Sequence, residues 1–332
     1  MQTLFVYNPK GNRKQEMRKK KKEITDFRTS IGGQALIEGI LMRGPVKEAI
    51  VVRTADGLVT KVSEPHFIRE RIKFLGWPFF RGIVVFVESM VYGVKALTYS
   101  AELMPEEEQE QPSKFDKWIE KKFGAEKAEK FIIGLAVVLG IALSVGLFVL
   151  LPTILAGAVK NLTDSTMVYN LTEGFLRIVI FLLYMYFCTK SKDLNRVFRY
   201  HGAEHKSIFC YEKGLPLTVE NVREQSRFHP RCGTSFLFVV MIISIFVFSF
   251  VSWSNVWLRM ALRILLLPVV MGISYEIIRW AGRHDNWLSA ALAAPGKALQ
   301  RLTTSEPDDE MIECAIEAIK LVIPEEKGQD KW

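Results

Sequence analysis

The sequence predicts a mainly α-helical, polytopic membrane protein with about four transmembrane helices, a small N-terminal β-rich unit and a C-terminal amphipathic helix. Two uncharged runs are the main observations, 29 residues from Phe131 to Val159 and 25 residues from Thr234 to Leu258. A hydrocarbon core ~30 Å thick needs about 20 apolar residues, so each run is long enough to span a bilayer. Neither run lies at the N-terminus, and we therefore expect no cleaved signal peptide.

The first part of the chain is polar and then β-rich. Residues 1–29 are expected to form a basic flexible tail, because Lys10–Lys22 holds eight basic residues against one acid. Such a block can bind anionic lipid, or it can be a solvated tail that sets topology; without interleaved aromatics it predicts no specific nucleic-acid binding.

Residues 30–78 are expected to form a small β-rich cytoplasmic unit, since Ala49–Arg53 and Leu58–Val62 flank an Asp-Gly turn. This unit is too small to bury a core alone, so we expect it to pack on helices or on the membrane surface.

The middle of the chain carries the membrane-related segments. Residues 79–104 are apolar but interrupted by Arg81, Glu88 and Lys95, so they predict an interfacial or half-buried helix, with a true span as the alternative. Residues 105–130 form a charged linker, and residues 131–281 form the four-span membrane domain, which includes a histidine loop at 190–233. The spans are predicted at about 131–156, 171–189, 234–253 and 259–279.

Residues 282–332 are expected to form a cytoplasmic tail that ends in an amphipathic helix. Ser305 can cap this helix and Pro307 suits its first turn. Four apolar residues recur on one face, as a buried helix face requires. They are Ile312, Ala315, Ile316 and Ile319.

The distribution of charge predicts the topology. Residues 190–233 carry nine Lys or Arg against five acids, whereas the 160–170 loop carries one of each. Excess positive charge marks the cytoplasmic side of a membrane protein. With four spans, the N-terminus, the histidine loop and the C-terminus all lie in the cytoplasm, where thiols stay reduced. A fifth span at 79–104 would put one of two basic segments outside.

The strongest chemical signal is His-x-x-Glu-His at residues 201–205. Residues four apart lie on one helix face, so His201 and His205 can both bind one metal ion. Glu204 is placed to take a proton from a metal-activated water as a general base. Neutral imidazoles suit zinc, and an open coordination position would let the ion acidify water. The alternative is a surface helix with two solvated histidines.

A third ligand is sought in His229, Cys232 or Glu276. His229 and Cys232 close the histidine loop, and both ligand types suit zinc; otherwise His229 is a turn residue before Pro230, and Cys232 is a small buried residue at a helix start. Glu276 lies near the cytoplasmic end of the fourth span, where an ionisable group is costly. It can bind the metal or orient a histidine, or it can pair with Arg279 or reach the membrane interface.

Four other residues receive weaker interpretations. His284, which is followed by Asp285, either completes a site or caps a helix end, and His66 is expected at the surface. Glu38 and Arg43, in the glycine-rich segment, could line a pocket. No nucleotide-binding glycine pattern and no nucleophile elbow is present in the sequence.

Four motifs in order along the chain resemble those of the bacterial YqhQ-like membrane proteins. They are the segments Gly32–Gly44, Tyr200–Lys206, His229–Ser235 and Leu299–Pro307. The resemblance covers residues 30–320 and implies a single unit in a bacterial inner or plasma membrane. The family is commonly labelled a predicted metal-dependent enzyme of unknown function, so the resemblance implies no substrate and no established catalytic residue.

Two functions remain open at this stage. The first is a metal-dependent hydrolase, with zinc the expected divalent metal, that acts on a lipid-linked or membrane peptide substrate at the cytoplasmic face. The second is a non-enzymatic membrane scaffold or assembly factor with a structural His/Cys cluster. A transporter is disfavoured, because the four spans show no repeat and the clustered polar groups are expected outside the bilayer.

Overall fold

A computed structural model describes residues 27–65, 68, 72–105, 114–158, 165–250, 256–284 and 286–332. Most of the predicted basic tail therefore lies outside the described residues, as do part of the charged linker, His66 and Asp285. The chain divides into two compact units. The first comprises residues 1–66, 196–229 and 304–332, and the second comprises residues 67–195 and 230–303.

The described residues are mainly helical, as predicted. The four strands are β1 (Gly32–Leu36), β2 (Gly39–Arg43), β3 (Glu48–Thr54) and β4 (Gly57–Ser63). A 3₁₀ turn covers Lys73–Gly76. The α-helices are α1 (Phe80–Glu102), α2 (Lys114–Phe123), α3 (Ala125–Val145), α4 (Leu151–Gly157), α5 (Thr166–Cys188), α6 (Lys192–Glu212), α7 (Val219–Arg223), α8 (Gly233–Ser249), α9 (Val256–Arg283), α10 (Trp287–Thr303) and α11 (Asp309–Val322).

The first unit is built around an antiparallel sheet in the order β1-β2-β3-β4. The predicted hairpin is confirmed: Thr54 pairs with Gly57, and Gly57 has φ +122°, a conformation that favours glycine. The glycine-rich segment before it forms the β1–β2 hairpin. Helix α11 packs on this sheet, and together they bury the core that the strands could not bury alone.

The amphipathic C-terminal helix is confirmed, but its predicted start is wrong. The four predicted face residues are all buried, at 0–6% exposure. The helix begins at Asp309, however, and its cap is Asp308, whose carboxylate accepts a hydrogen bond from Met311 N at 3.0 Å. The backbone N–H of Ser305 instead donates to Phe198 O at 2.9 Å, so Ser305 belongs to the preceding connection.

The second unit holds the membrane-related helices. Three helical segments of the described residues are long and apolar enough to cross a bilayer: Phe131–Gly157, Met167–Cys188 and Met260–Arg283. The first of them runs through α3, a π-helical turn and α4 without a break. This composition identifies a membrane protein. Helix α8 is apolar but has only 17 residues, so the predicted count of four spans remains a prediction.

Two predicted features of the spans require correction. Helix α5 begins at Thr166 with Ser165 as its cap, so residues 166–170 are helical and not part of a loop. The expectation that the clustered polar groups lie outside the bilayer is incomplete, because a second polar cluster lies in candidate spans. Glu173, Arg177 and Arg263 lie in candidate spans and are at most 5% exposed, because they bind one another and neighbouring polar groups.

Candidate metal centre

Helix α6 brings the two predicted metal-binding histidines together on one face. The ring centroids of His201 and His205 are 4.4 Å apart, and one ligand nitrogen of each lies within 4.8 Å of the other. Between them, Gly202 packs against the backbone carbonyl of Ser305, where a Cβ atom would collide. The close approach of α6 to the Ser305 carbonyl therefore requires glycine at position 202, and this contact fixes α6 within the first unit.

The tautomer of His205 is set by a backbone contact. His205 is 1% exposed, and its Nδ1 atom lies 2.5 Å from Arg227 O. A carbonyl oxygen can only accept a hydrogen bond, so Nδ1 carries a proton, and in the neutral imidazole Nε2 keeps its lone pair. Metal-binding histidines usually donate their second ring N–H in this way.

Glu204 is held by the first strand. Its Oε1 atom accepts a hydrogen bond from Gly33 N at 2.9 Å, and its Oε2 atom lies 3.9 Å from His201 Nε2. A Cβ atom on Gly33 would lie 2.7 Å from Leu41 O and 3.1 Å from Glu204 Cγ, so a side chain at this position would push the strand from the carboxylate. One oxygen is thus fixed while the other faces the histidine pair.

His229 extends the cluster, and Glu212 accompanies it. The ring centroids of His229 and His205 are 5.6 Å apart, and His229 is 5% exposed. His229 Nε2 lies 3.7 Å from Glu212 Oε2, while Glu212 Oε1 accepts a hydrogen bond from Thr29 N at 2.9 Å. Glu212 was not predicted from the sequence, although it lies seven residues after His205, on the same side of a helix.

The burial of these groups argues against two solvated histidines on a surface helix. His205, Glu204 and His229 are 1%, 5% and 5% exposed, and the side chain of His201 is 16% exposed. Buried imidazoles and carboxylates need hydrogen bonds or metal ligation to offset the loss of hydration. The first unit therefore contains a half-closed cluster of three imidazoles and two carboxylates.

Cys232 and Glu276 belong to the second unit. Cys232 is the residue before α8, and its sulfur accepts a hydrogen bond from Thr234 Oγ1 at 3.3 Å. Glu276 pairs with Arg81 rather than with the predicted Arg279: Arg81 Nε donates to Oε1 at 2.7 Å and Arg81 Nη2 donates to Oε2. Phe79 N also donates to Oε1, at 3.3 Å. Both carboxylate oxygens of Glu276 therefore have cationic partners.

The weaker candidates occupy structural positions. His284 is exposed, its Nδ1 atom lies 2.8 Å from Trp280 O, and its ring stacks on Trp280, as expected for the helix-end alternative. Glu38 is paired with Arg196 and accepts a hydrogen bond from the Tyr200 hydroxyl at 3.2 Å. Arg43 binds Glu48 across the β2–β3 pair at 3.2 Å.

Comparison with known proteins identifies the family. Residues 77–325 match the family described as "Protein of unknown function (DUF1385)". The "Uncharacterized protein YqhQ" of Bacillus subtilis (strain 168) is 36% identical over 294 residues, which cover 86% of this chain and 90% of the relative. The chain belongs to this YqhQ-like family. No solved structure matches it.

Proposed function

We propose that this chain is a metal-dependent hydrolase of the bacterial cytoplasmic membrane, with one zinc ion held by His201 and His205. The contact between His205 Nδ1 and Arg227 O carries this proposal, because it leaves His205 Nε2 free to bind a metal. His201 faces the same space, and two neutral imidazoles on one helix face fit zinc.

The side chains around this pair have distinct roles in the proposal. A bound zinc ion lowers the pKa of a coordinated water to about 7 and so supplies a nucleophile at neutral pH. Glu204 accepts the proton on Oε2, which lies 3.9 Å from His201 Nε2. His229 and Cys232 are the alternatives for a third ligand. They are three residues apart, so their Cα atoms lie at most about 11 Å from each other. Glu276 is left out because Arg81 occupies its oxygens.

The membrane arrangement is part of the same proposal. Helix α8 would be a fourth span, since 17 residues at about 1.5 Å each reach the lower end of the span range. Both termini and the histidine loop would then lie in the cytoplasm. A site on a loop between two spans favours a lipid-linked or membrane peptide substrate, and the basic N-terminal tail would bind anionic lipid.

Metal analysis tests the proposed site. The purified full-length chain is expected to carry about one zinc per chain, and the variant with both His201→Ala and His205→Ala is expected to lose it. His284→Ala is the matched control, because His284 is exposed and contacts Trp280. Absence of metal from the wild type, or equal metal content in the double variant, would overturn the site.

One set of contacts favours the scaffold alternative, in which the cluster is structural. Glu204 and Glu212 each accept a hydrogen bond from a backbone N–H of the N-terminal segment, at Gly33 and Thr29. Loss of an acceptor at a buried amide costs roughly 1–3 kcal/mol, so these carboxylates also stabilise the first unit.

A comparison of three substitutions separates the two functions. Glu204→Gln keeps an oxygen acceptor for Gly33 N but cannot accept a proton, so a hydrolase should lose function while it retains its metal. Glu224→Gln is the matched control, because it makes the same change at an exposed position of the first unit, and Glu204→Ala removes both roles. Complementation of a deletion strain is the readout. Full function in Glu204→Gln, together with loss of function in Glu204→Ala, would favour the scaffold.

A further inference from the structure

Three ionised side chains lie buried between candidate spans of the second unit. Helix α5 supplies Glu173 and Arg177, and helix α9 supplies Arg263. Their exposures are 1%, 5% and 1%. Charged groups inside membrane spans are costly and mark functional sites by default. The proposed metal centre does not use this cluster.

The hydrogen bonds of the cluster converge on one carboxylate oxygen. Glu173 Oε1 accepts from Arg177 Nη2 at 3.0 Å and from Arg263 Nη1, and Thr153 Oγ1 lies 3.0 Å from it. Arg177 also donates to Phe148 O at 2.9 Å and to Ser244 Oγ at 2.8 Å. The two guanidinium groups are therefore fixed in place before any ligand binds, which lowers the entropic cost of binding.

The charges of the cluster do not balance. Two guanidinium groups face one carboxylate, so among the described residues one positive charge has no buried counterion. In the described part of the chain, Arg263 Nε and Glu173 Oε2 are buried and have no hydrogen-bond partner, so one donor and one acceptor of the cluster are unsatisfied. An uncompensated buried charge is expensive, and an anion of unit charge would neutralise it.

A small pocket adjoins these groups. Its lining includes Arg177, Arg263, Glu173 and Asn170, together with the ring of Phe248. The Phe248 ring centroid lies 5.2 Å from Arg177 Cζ and 5.5 Å from Arg263 Cζ, so the ring lies beside both cations. Asn170 donates one hydrogen bond to Ser249 O at 3.2 Å, which leaves a second amide hydrogen for a ligand. The pocket thus combines an excess positive charge with N–H donors.

We propose that this pocket binds one small monovalent anion, with chloride as the physiological ligand. Arg177 and Arg263 supply the charge, and the Arg263 Nε–H and the Asn170 amide supply hydrogen bonds. A cation is disfavoured because two guanidinium groups repel it. A lipid phosphate headgroup is disfavoured because both arginines are at least 95% buried and the pocket is small.

Chloride binding to the full-length protein in nanodiscs of phosphatidylcholine tests the proposal. We expect an excess ³⁵Cl NMR linewidth over empty nanodiscs, which bromide displaces. We also expect the thermal unfolding midpoint to rise by at least about 2 °C when sodium chloride replaces sodium gluconate at equal ionic strength. No excess linewidth, or a midpoint that follows sodium rather than chloride, would overturn the site.

Three substitutions connect the binding to these residues. Arg177→Gln removes the excess charge and should abolish the excess linewidth, whereas Glu173→Gln increases the positive charge and should preserve or tighten binding. Arg283→Gln is the matched control, because it makes the same charge change at an exposed position about 30 Å along helix α9. Equal chloride binding in folded Arg177→Gln and in the wild type would contradict the assignment. If the cluster variants do not fold, the excess linewidth of the wild type and the dependence of its unfolding midpoint on the anion still show whether chloride binds.

Discussion

At the residue scale, the cluster on α6 depends on a glycine that has no room for a side chain. A Cβ atom at Gly202 would collide with the carbonyl oxygen of Ser305. Gly202→Ala should therefore destabilise the protein by roughly 1–3 kcal/mol, although alanine is the better helix former. Thermal unfolding of the purified chain measures this loss.

Gly140→Ala provides the matched control for this substitution. Gly140 is also helical, but a Cβ atom there would meet nothing within 4 Å in the described structure. The variant should be as stable as the wild type or more stable by up to about 1 kcal/mol. An equal loss of stability in both variants would show that close packing at Gly202 is not the cause.

A second prediction at this scale concerns Cys314. Burial raises the pKa of its thiol from 9.0 to about 12, and the sulfur contacts Val51 O at 3.3 Å. Between pH 9 and 12 the thiol is protonated in the folded chain and ionised in the unfolded chain. The contribution of Cys314 to the free energy of unfolding is therefore complete below pH 9 and is lost as the pH rises towards 12. Because thiolate is the reactive form, alkylation of folded Cys314 should be very slow at pH 8.

Mass spectrometry of the alkylated peptide that contains Cys314 measures this reactivity. The rate should increase about tenfold per pH unit towards pH 12, and it should be fast at pH 8 once denaturant unfolds the chain. Rapid modification of the native protein at pH 8 would contradict the burial of this thiol.

At the element scale, helix α11 supplies the core that the small sheet lacks. Ile319 is fully buried among residues of the sheet, α6 and α11. Ile319→Ala should cost roughly 2–4 kcal/mol, since it leaves a cavity in a close-packed core. A lower thermal unfolding midpoint together with loss of bound metal is the expected result, because α6 packs in the same core.

Lys320→Ala is the control for this change, because Lys320 is exposed on the opposite face of α11. Its effect should stay within about 0.5 kcal/mol. If Ile319→Ala unfolds no more easily than Lys320→Ala, helix α11 does not stabilise the first unit in the way described.

Local patterns predicted the elements, but they did not predict the pairs between distant segments. Spacing alone predicted that His201 and His205 share one helix face, and the two β-branched runs that flank Asp56-Gly57 predicted the β3–β4 hairpin. The partners of Glu204 and Glu276 are Gly33 and Arg81, which lie 171 and 195 residues away. Helical periodicity predicts contacts only between residues within about four positions of each other, so pairs between distant segments cannot be predicted until the tertiary fold is known.

The same limitation explains the error about polar groups in the spans. Glu173 and Arg177 form an i,i+4 pair that sequence spacing reveals, but Arg263 comes from a helix 90 residues later. The cost of burying three charges in a span is offset only when these groups meet. Of the charges in the predicted spans, only Glu276 indicated a site from the sequence, so the cluster of Glu173, Arg177 and Arg263 was not predicted.

At the scale of the whole molecule, we expect the histidine loop and both termini to be cytoplasmic. Single cysteines introduced as Lys213→Cys and Lys327→Cys should react with a membrane-impermeant maleimide only after the cells are permeabilised. Asn161→Cys, in the predicted outer loop, should react in intact cells. Mass spectrometry of each site gives the extent of labelling. Labelling of Lys213→Cys in intact cells would invert the topology and remove the site from the cytoplasm.

X-ray absorption at the zinc edge of the purified full-length chain tests the proposed zinc site directly. We expect two or three imidazole nitrogens at about 2.0–2.1 Å, with a sulfur at about 2.3 Å if Cys232 is the third ligand and no sulfur if His229 is. The imidazole signal should disappear in the variant with His201→Ala and His205→Ala. A first shell without imidazole, or a chain that takes up no stoichiometric zinc, would contradict the account.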